Sequence, residues 1–266
     1  MSEAAFGGGP VALVLDPRPR AGMADMEFVR EGLASLAHGA RGELSLARPE
    51  PTAAFSRGDT RREGHPGAQA WLERRGFAPI IRPVGGHLAV YGPGDLILHL
   101  WGPHPEARSH IRDRFKLFGD AVARALQGLG IDAQVGPVPG EYCTGEFSVN
   151  DSGRTKLVGT GQRITRHGYL FSAVVMVEDA GPARSVLGDA YRMLGLDFRD
   201  ESVGCIADSA PGATVEGVRA AVLDELARLI PCGSDLPVSF SLPDPFGEAE
   251  SAADGFAAAP GGHHAR

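Results

Sequence analysis

A cysteine and a lysine stand in adjoining polar segments of this chain, and their types and spacing suit acyl chemistry. Of the 26 Lys and Arg residues, only Lys116 and Lys156 are lysines. Lysine is a compact point donor whose pKa can fall, whereas arginine is a planar fork that stays charged. An ammonium kept in so arginine-rich a chain is either a solvated surface charge or a group whose point geometry is used. Cys143 follows Pro137, Pro139 and Gly140 in a turn-rich stretch, the kind of loop in which a rigid scaffold presents reactive groups. A thiol becomes a nucleophile when a nearby cation favours its thiolate. The plainer reading is a buried, inert thiol.

Two further segments carry polar or glycine-rich signals. Gly85 and Gly86 follow Arg82 and precede His87. Paired glycines permit positive φ and let backbone N–H groups approach an anion or a carboxyl-derived ligand; a tight turn would use the same residues. His87 suits either proton transfer or a structural hydrogen bond. Gly159, Thr160 and Gly161 precede Gln162, and small residues in a strand mark close approach by a ligand or another backbone, or a bulge. Gln162 has an amide to offer a polar head group.

The apolar pattern supplies elements to hold these groups. Residues 23–36 place Met26, Val29, Leu33 and Leu36 on one helical face, and residues 108–129 carry the longest stripe, from Ile111 and Phe115 through Phe118, Val122 and Leu126 to Leu129. Helices are also expected over 68–75, capped by Gly76, and over 183–194 and 215–230. Strands are expected over 43–48 and 51–56, 77–82, 87–91, 95–101, 131–135, 146–150, 156–160 and 169–177. In 95–101, Leu96, Leu98 and Leu100 alternate with Ile97, His99 and Trp101, as in a sheet covered on both faces. Segments 146–150 and 156–160 read as a hairpin that returns Lys156 to the level of Cys143. The expected class is α+β, with a mixed, largely antiparallel sheet and flanking helices.

Residues 1–9 read as a flexible tail and 234–266 as a disordered one, leaving 10–233 as the folded domain. His263 and His264 fall in the second tail and are read as incidental, so no metal site is expected. A net charge of −7 and no Lys/Arg-rich tract disfavour nucleic-acid binding. No segment approaches the ~20 apolar residues that span a bilayer, and the N-terminus lacks the basic start of a signal peptide. Cys143, Cys205 and Cys232 form neither a C-x-x-C pair nor an even framework, so a cytoplasmic location is expected.

Taken together, these segments resemble the catalytic domain of the lipoate/biotin protein ligase superfamily over roughly residues 23–177. Arg82-Pro83-Val84-Gly85-Gly86-His87-Leu88-Ala89-Val90-Tyr91 is similar to the family's arginine and glycine-rich turn leading into an Ala-Val strand. Lys156-Leu157-Val158-Gly159-Thr160-Gly161-Gln162-Arg163 matches its more specific Lys-x-x-Gly-x-x-x-Arg strand. Tyr142-Cys143-Thr144-Gly145-Glu146-Phe147 resembles the nucleophile loop of cysteine-dependent octanoyltransferases and amidotransferases.

The resemblance implies a class II biotin/lipoate ligase-like catalytic domain with Cys143 and Lys156 catalytic. Arg82, Gly85, Gly86, His87, Gly159, Thr160, Gly161 and Gln162 would then bind substrate. It implies transfer of an octanoyl or lipoyl group, through a Cys143 thioester, to a lysine of a lipoyl carrier domain such as glycine cleavage H protein or a 2-oxoacid dehydrogenase E2. The donor would be octanoyl-acyl carrier protein or its like, with no cofactor. Lys156 would stabilise the developing oxyanion, and Val90, Leu98 and Val174 are candidate walls for the acyl chain or ordinary core. The alternative is an ATP-dependent lipoate-protein ligase using ATP and Mg through lipoyl-AMP. Pro83 and His87-Leu88 depart from the Arg-Arg-x-x-Gly-Gly-Gly motif such ligases carry. A third reading is a non-catalytic relative that binds an acyl group or carrier.

Overall fold

The alternating and helical patterns resolve into strands and helices in the computed structural model, which describes residues 2–7, 9–16 and 18–230. In chain order the strands are β1 (Ala12–Leu15), β2 (Glu43–Ala47), β3 (Thr52–Phe55), β4 (Ala78–Ile81), β5 (Ala89–Tyr91), β6 (Asp95–Pro103), β7 (Ala133–Val135), β8 (Val149–Asp151), β9 (Thr155–Ile164) and β10 (Gly168–Met176). The helices are α1 (Ser2–Phe6), α2 (Gly22–Ser35), α3 (His65–Glu73), α4 (Ile111–Gly128), α5 (Gly181–Met193) and α6 (Val215–Ala227).

Seven strands form one sheet in the order β1-β2-β6-β10-β9-β8-β7, and β4-β3-β5 form a smaller one. The β1–β2 and β3–β4 pairs are parallel and the others antiparallel, so the fold is the expected α+β class with mixed sheets. The alternation in β6 decides what lies on each face. Leu96, Leu98 and Leu100 enter the core beneath α4 and α6 with Phe118, Val122, Leu126 and Val222. Ile97 and Trp101 face the opposite side, toward α2, α5 and the small sheet. The stripe on α4 is buried over its second half, whereas Ile111 and Phe115 near its start remain partly open.

Residues 43–48 and 51–56 are strands as expected, and the turn between them hands the chain from the large sheet to the small one. Two expectations change. Segment 146–150 shortens to Val149–Asp151. Phe147 leaves the sheet because it stacks on Phe115 of α4, with ring centroids 5.3 Å apart. The expected N-terminal tail is structured over Ser2–Phe6, with Ala5 and Phe6 buried. Its carbonyls are used as well: Tyr169 Oη donates to Phe6 O at 2.9 Å, and Arg114 Nη1 donates to Ala5 O at 2.9 Å. A mixed Ala and Gly composition hid this, because the partners lie in β10 and α4, far along the chain. Residues 234–266, with His263 and His264, and also Cys232, lie outside the described residues.

Arg114 makes the N-terminal segment matter. It is fully buried, its guanidinium lies over the Tyr169 ring at 4.3 Å, and it also donates to Ala107 O and Gln162 Oε1. Burial pushes its pKa down to about 10, so every carbonyl that solvates it counts. Deleting residues 1–6 is expected to cost about 3 kcal/mol, from lost Phe6 burial and an unpaired guanidinium hydrogen. Urea denaturation checks this, and an unchanged midpoint would refute it.

Candidate active site

The hairpin expected between Cys143 and Lys156 forms, with an irregularity that aims the lysine. Val149 pairs with Val158, but the next residue, Asn150, pairs with Lys156, so β9 holds one residue more than β8 at this step. Such a bulge breaks the strict alternation of side chains and re-aims one of them. Leu157 and Val158 consequently both enter the core beneath α4. The Lys156 stem passes beside Gly159, where a Cβ would meet Lys156 Cε at 3.2 Å.

The ammonium ends under the cysteine loop, where Lys156 is 1% exposed. It donates to Tyr142 O and Cys143 O, both at 2.9 Å, and meets Glu141 Oε2 at 3.1 Å. The ammonium thus has two carbonyl acceptors and an ion pair with a buried carboxylate. Glu141 is itself completely buried, and its other oxygen accepts Gly145 N–H at 3.2 Å. The loop therefore folds around its own carboxylate, and the lysine closes it. Cys143 is held at φ 44°, a left-handed conformation that costs a non-glycine residue ~1–3 kcal/mol. Its N–H donates to Tyr191 Oη at 2.7 Å, and that hydroxyl donates to Leu88 O at 2.7 Å.

The sulfur faces the glycine turn. Cys143 Sγ accepts from Arg82 Nη2 at 3.1 Å and from His87 N–H at 3.3 Å. Gly86 has φ +97°, and a Cβ there would lie 2.5 Å from Sγ and 2.8 Å from Arg82 Nη2. The pair of glycines is thus a turn that also lets the backbone touch the sulfur. Burial opposes ionisation of the Cys143 thiol, but the Arg82 guanidinium, the Lys156 ammonium and the His87 N–H outweigh it and hold the thiol below its ordinary value. Lys156 is thus paired with Glu141, and Arg82 is placed to pair with Cys143 when the thiol ionises. His87 is fixed by Asp59, which is fully buried and lies 2.9 Å from His87 Nδ1.

Cys143 opens onto a cleft of about 330 Å³ bordered by Gly85, Gly86, Phe147, Gly161 and Gln162. An inner cavity of about 40 Å³ lies beyond it, and Thr160 and Gly161 line both spaces. Val84 separates them: a Cβ on Gly161 would be 3.0 Å from Val84 Cγ2. Val174 lines the inner cavity. Leu98 instead faces the α4 side and Val90 packs in the core of the small sheet.

Most of the predicted residues converge here, with different duties for two of them. Gln162 borders the cleft, but its amide is engaged, accepting from Arg114 Nε at 2.8 Å and donating to Ile111 O at 2.9 Å. Lys156 is turned onto the loop carbonyls rather than into the cleft. Sequence reasoning missed Glu141, Tyr191 and Asp59. Tyr191 lies within the apolar stripe of α5 and looked like core. Glu141 carried a signal, as a carboxylate two residues before the cysteine in a chain with so few lysines. Among the described residues, no group of three or more His, Cys, Asp or Glu is placed to hold a metal ion, and no helix is long and apolar enough to cross a membrane.

Comparison with known proteins matches residues 44–227 to the model of the lipoyl protein ligase A/B catalytic domain. The chain is 26% identical over 146 residues to an octanoyl-[GcvH]:protein N-octanoyltransferase of Geobacillus kaustophilus, covering 55% of this chain and 51% of that protein. It is 29% identical over 122 residues to the protein so named from Exiguobacterium sp., covering 46% of this chain and 43% of that one. The chain thus spans about half the length of the curated relatives it matches. In fold it is similar to lipoate-protein ligase A bound with ATP, with a TM-score of 0.63, 17% identity, and 83% of this chain and 85% of that one covered. A bipartite lipoate protein ligase from Thermoplasma acidophilum gives a TM-score of 0.63 at 18% identity, covering 85% of this chain and 86% of that one.

Two measurements probe the site without any substrate. The pH midpoint for iodoacetamide alkylation of Cys143 is expected below the ~8.5 of a free thiol, and above the wild-type value in Arg82→Gln, where burial is opposed by fewer charges. A midpoint unmoved by that substitution would remove Arg82 from the account. Lys156→Met is expected to cost ~3–5 kcal/mol by leaving the buried Glu141 carboxylate unpaired, with much of the loss recovered in Lys156→Met/Glu141→Gln. Urea denaturation of the four proteins in this cycle gives the coupling, and additive losses would show that the pair does not act as a unit.

Proposed function

Because the chain belongs to the lipoyl protein ligase A/B catalytic domain family, we propose that it transfers an octanoyl or lipoyl group to a lysine of a lipoyl carrier domain, through a thioester on Cys143. The observation that carries this reading is the thiol itself, open to a cleft and bonded to a guanidinium and a backbone N–H. The likeness to octanoyl-[GcvH]:protein N-octanoyltransferases of two bacteria supports octanoyl transfer to a protein, with octanoyl-GcvH as the donor in their name. The glycine cleavage H protein and E2 lipoyl domains are the acceptors we propose, octanoyl-acyl carrier protein is the donor, and the reducing cytoplasm suits a free thiolate nucleophile.

The chemistry proceeds in two balanced steps. The Cys143 thiolate adds to the carbonyl carbon of the donor thioester; the C–S bond to the donor breaks, and the carrier thiolate leaves. The neutral amine of the acceptor lysine then adds to the Cys143 thioester, an amide forms, and the amine's proton passes to solvent as the Cys143 thiolate is released. Splitting one hard step into two is the usual gain of covalent catalysis. Arg82 and the His87 N–H stabilise the sulfur whenever it departs. In this reading Lys156 holds the loop and lends positive charge from beneath, and Gln162 holds the wall.

A thioester donor is already activated, so this route uses no ATP or Mg. The Arg82 fork is engaged with Cys143 Sγ and with His87 O at 2.5 Å, which supports transfer without a nucleotide. Incubation with octanoyl-acyl carrier protein is expected to give an octanoyl adduct by intact mass, removed by hydroxylamine and absent in Cys143→Ala. Adduct-free protein in which Cys143→Ala still lipoylates a carrier with ATP would replace this reading by the ligase one.

A further inference from the structure

The inner cavity ends in a buried polar relay that a purely hydrocarbon tail would not need. His99 of β6 and Ser172 of β10 line it. They lie opposite one another in the sheet, with His99 Nδ1 2.9 Å from Ser172 Oγ. On its other side His99 Nε2 is 2.8 Å from Asp25 Oδ2. Asp25 Oδ1 accepts from Arg20 Nη1 at 2.9 Å, and Arg20 Nη2 donates to Ser45 Oγ at 3.1 Å. Asp25 is 1% exposed and His99 6%. Burial favours the neutral acid at Asp25, but His99 and Arg20 outweigh it and hold the group below the usual carboxylate range.

The relay has a direction. A carboxylate only accepts, so a His99 hydrogen sits on Nε2 and points at Asp25, and in an imidazole that carries no second hydrogen Nδ1 accepts. Ser172 donates its hydroxyl hydrogen to Nδ1 and presents oxygen lone pairs to the cavity. The Arg20 guanidinium pairs with the Asp25 carboxylate at 2.9 Å, and the histidine connects that pair to Ser172. Hydrocarbon laid over Ser172 Oγ would strip those lone pairs of partners, a penalty usual for buried polar groups. A group that donates a hydrogen bond would satisfy them.

Resting on the acyl-transfer reading above, we infer that the inner cavity receives the outer part of the acyl chain and that Ser172, oriented by His99 and Asp25, selects chains bearing a hydrogen-bond donor, such as a hydroxyl or thiol, over plain saturated ones. Gly161 lies directly across the β9–β10 pair from Ser172 and also borders the Cys143 cleft, so the same wall runs from the sulfur to the relay. At about 40 Å³ the cavity has room for about one water molecule, so admitting a chain requires its walls, Val84 among them, to give way.

The test uses octanoate and its 6- and 8-hydroxy derivatives, as pantetheine thioesters for acylation of Cys143 and as free acids for binding by calorimetry. Wild-type protein is expected to favour one hydroxy derivative about tenfold over octanoate. Ser172→Ala is expected to abolish or invert that preference, and Ser172→Thr, which keeps the hydroxyl, to retain it, while all three proteins alkylate at Cys143 at the same rate. Equal ratios in wild type and Ser172→Ala would overturn the inference. Calorimetry separates the two levels: free acids that show the preference without any Cys143 adduct would uphold the selective cavity and refute the acyl-enzyme, whereas adducts formed without preference would do the reverse.

Discussion

One buried ammonium organises this molecule's chemistry. Lys156 joins two loop carbonyls and a carboxylate that water cannot reach, and without it the turn at Cys143 would hold a strained backbone and a stranded negative charge. Buried ion pairs seldom add net stability when compared with packed hydrocarbon, but removing one partner is costly. Here the cost buys position: the loop has one conformation in which Cys143 Sγ faces Arg82 and the His87 N–H. An arginine could not take this place, because its planar fork does not match two carbonyls and a carboxylate gathered around one point charge beside Gly159.

A second support keeps the opposite wall still. Arg114 anchors Gln162 and ties α4 to the N-terminal segment, so that segment and β9 share one buried cation. Gln162 in turn holds Ile111 at the start of α4, beside the aromatic stack of Phe115 and Phe147. The Gln162 amide at the cleft wall is thus already paired, and the sulfur is the nucleophile that the cleft exposes.

Periodicity made the fold class and most elements legible, because strand alternation and helical stripes are local consequences of which face is buried. The both-sided character of β6 and the long α4 stripe were visible in Leu96, Leu98 and Leu100 and in Phe118, Val122 and Leu126. The glycine turn, Cys143 and Lys156 stood out by type and spacing, and the hairpin joining the last two was readable from Asn150 to Gly153. What stayed hidden depends on distant pairing. The bulge that turns Lys156 under the loop is a property of β8 and β9 together. Glu141, Tyr191 and Asp59 acquire their duties only when separate elements meet, and the N-terminal helix is held by residues more than a hundred positions away. That the Gln162 amide is engaged by Arg114 and Ile111 is likewise a matter of distant pairing that sequence does not show.

The dipeptide Thr160-Gly161 borders both the cleft at the thiol and the smaller space behind it. A single sheet of backbone therefore serves two rooms, and it cannot be moved for one without altering the other. Any change at position 161 that made the rear chamber smaller would also push on Val84 and reshape the doorway at the thiol. Diversification of this scaffold toward new tail shapes is consequently easier from β6, β10 and α2, whose side chains reach only the rear, than from the strand that carries the lysine.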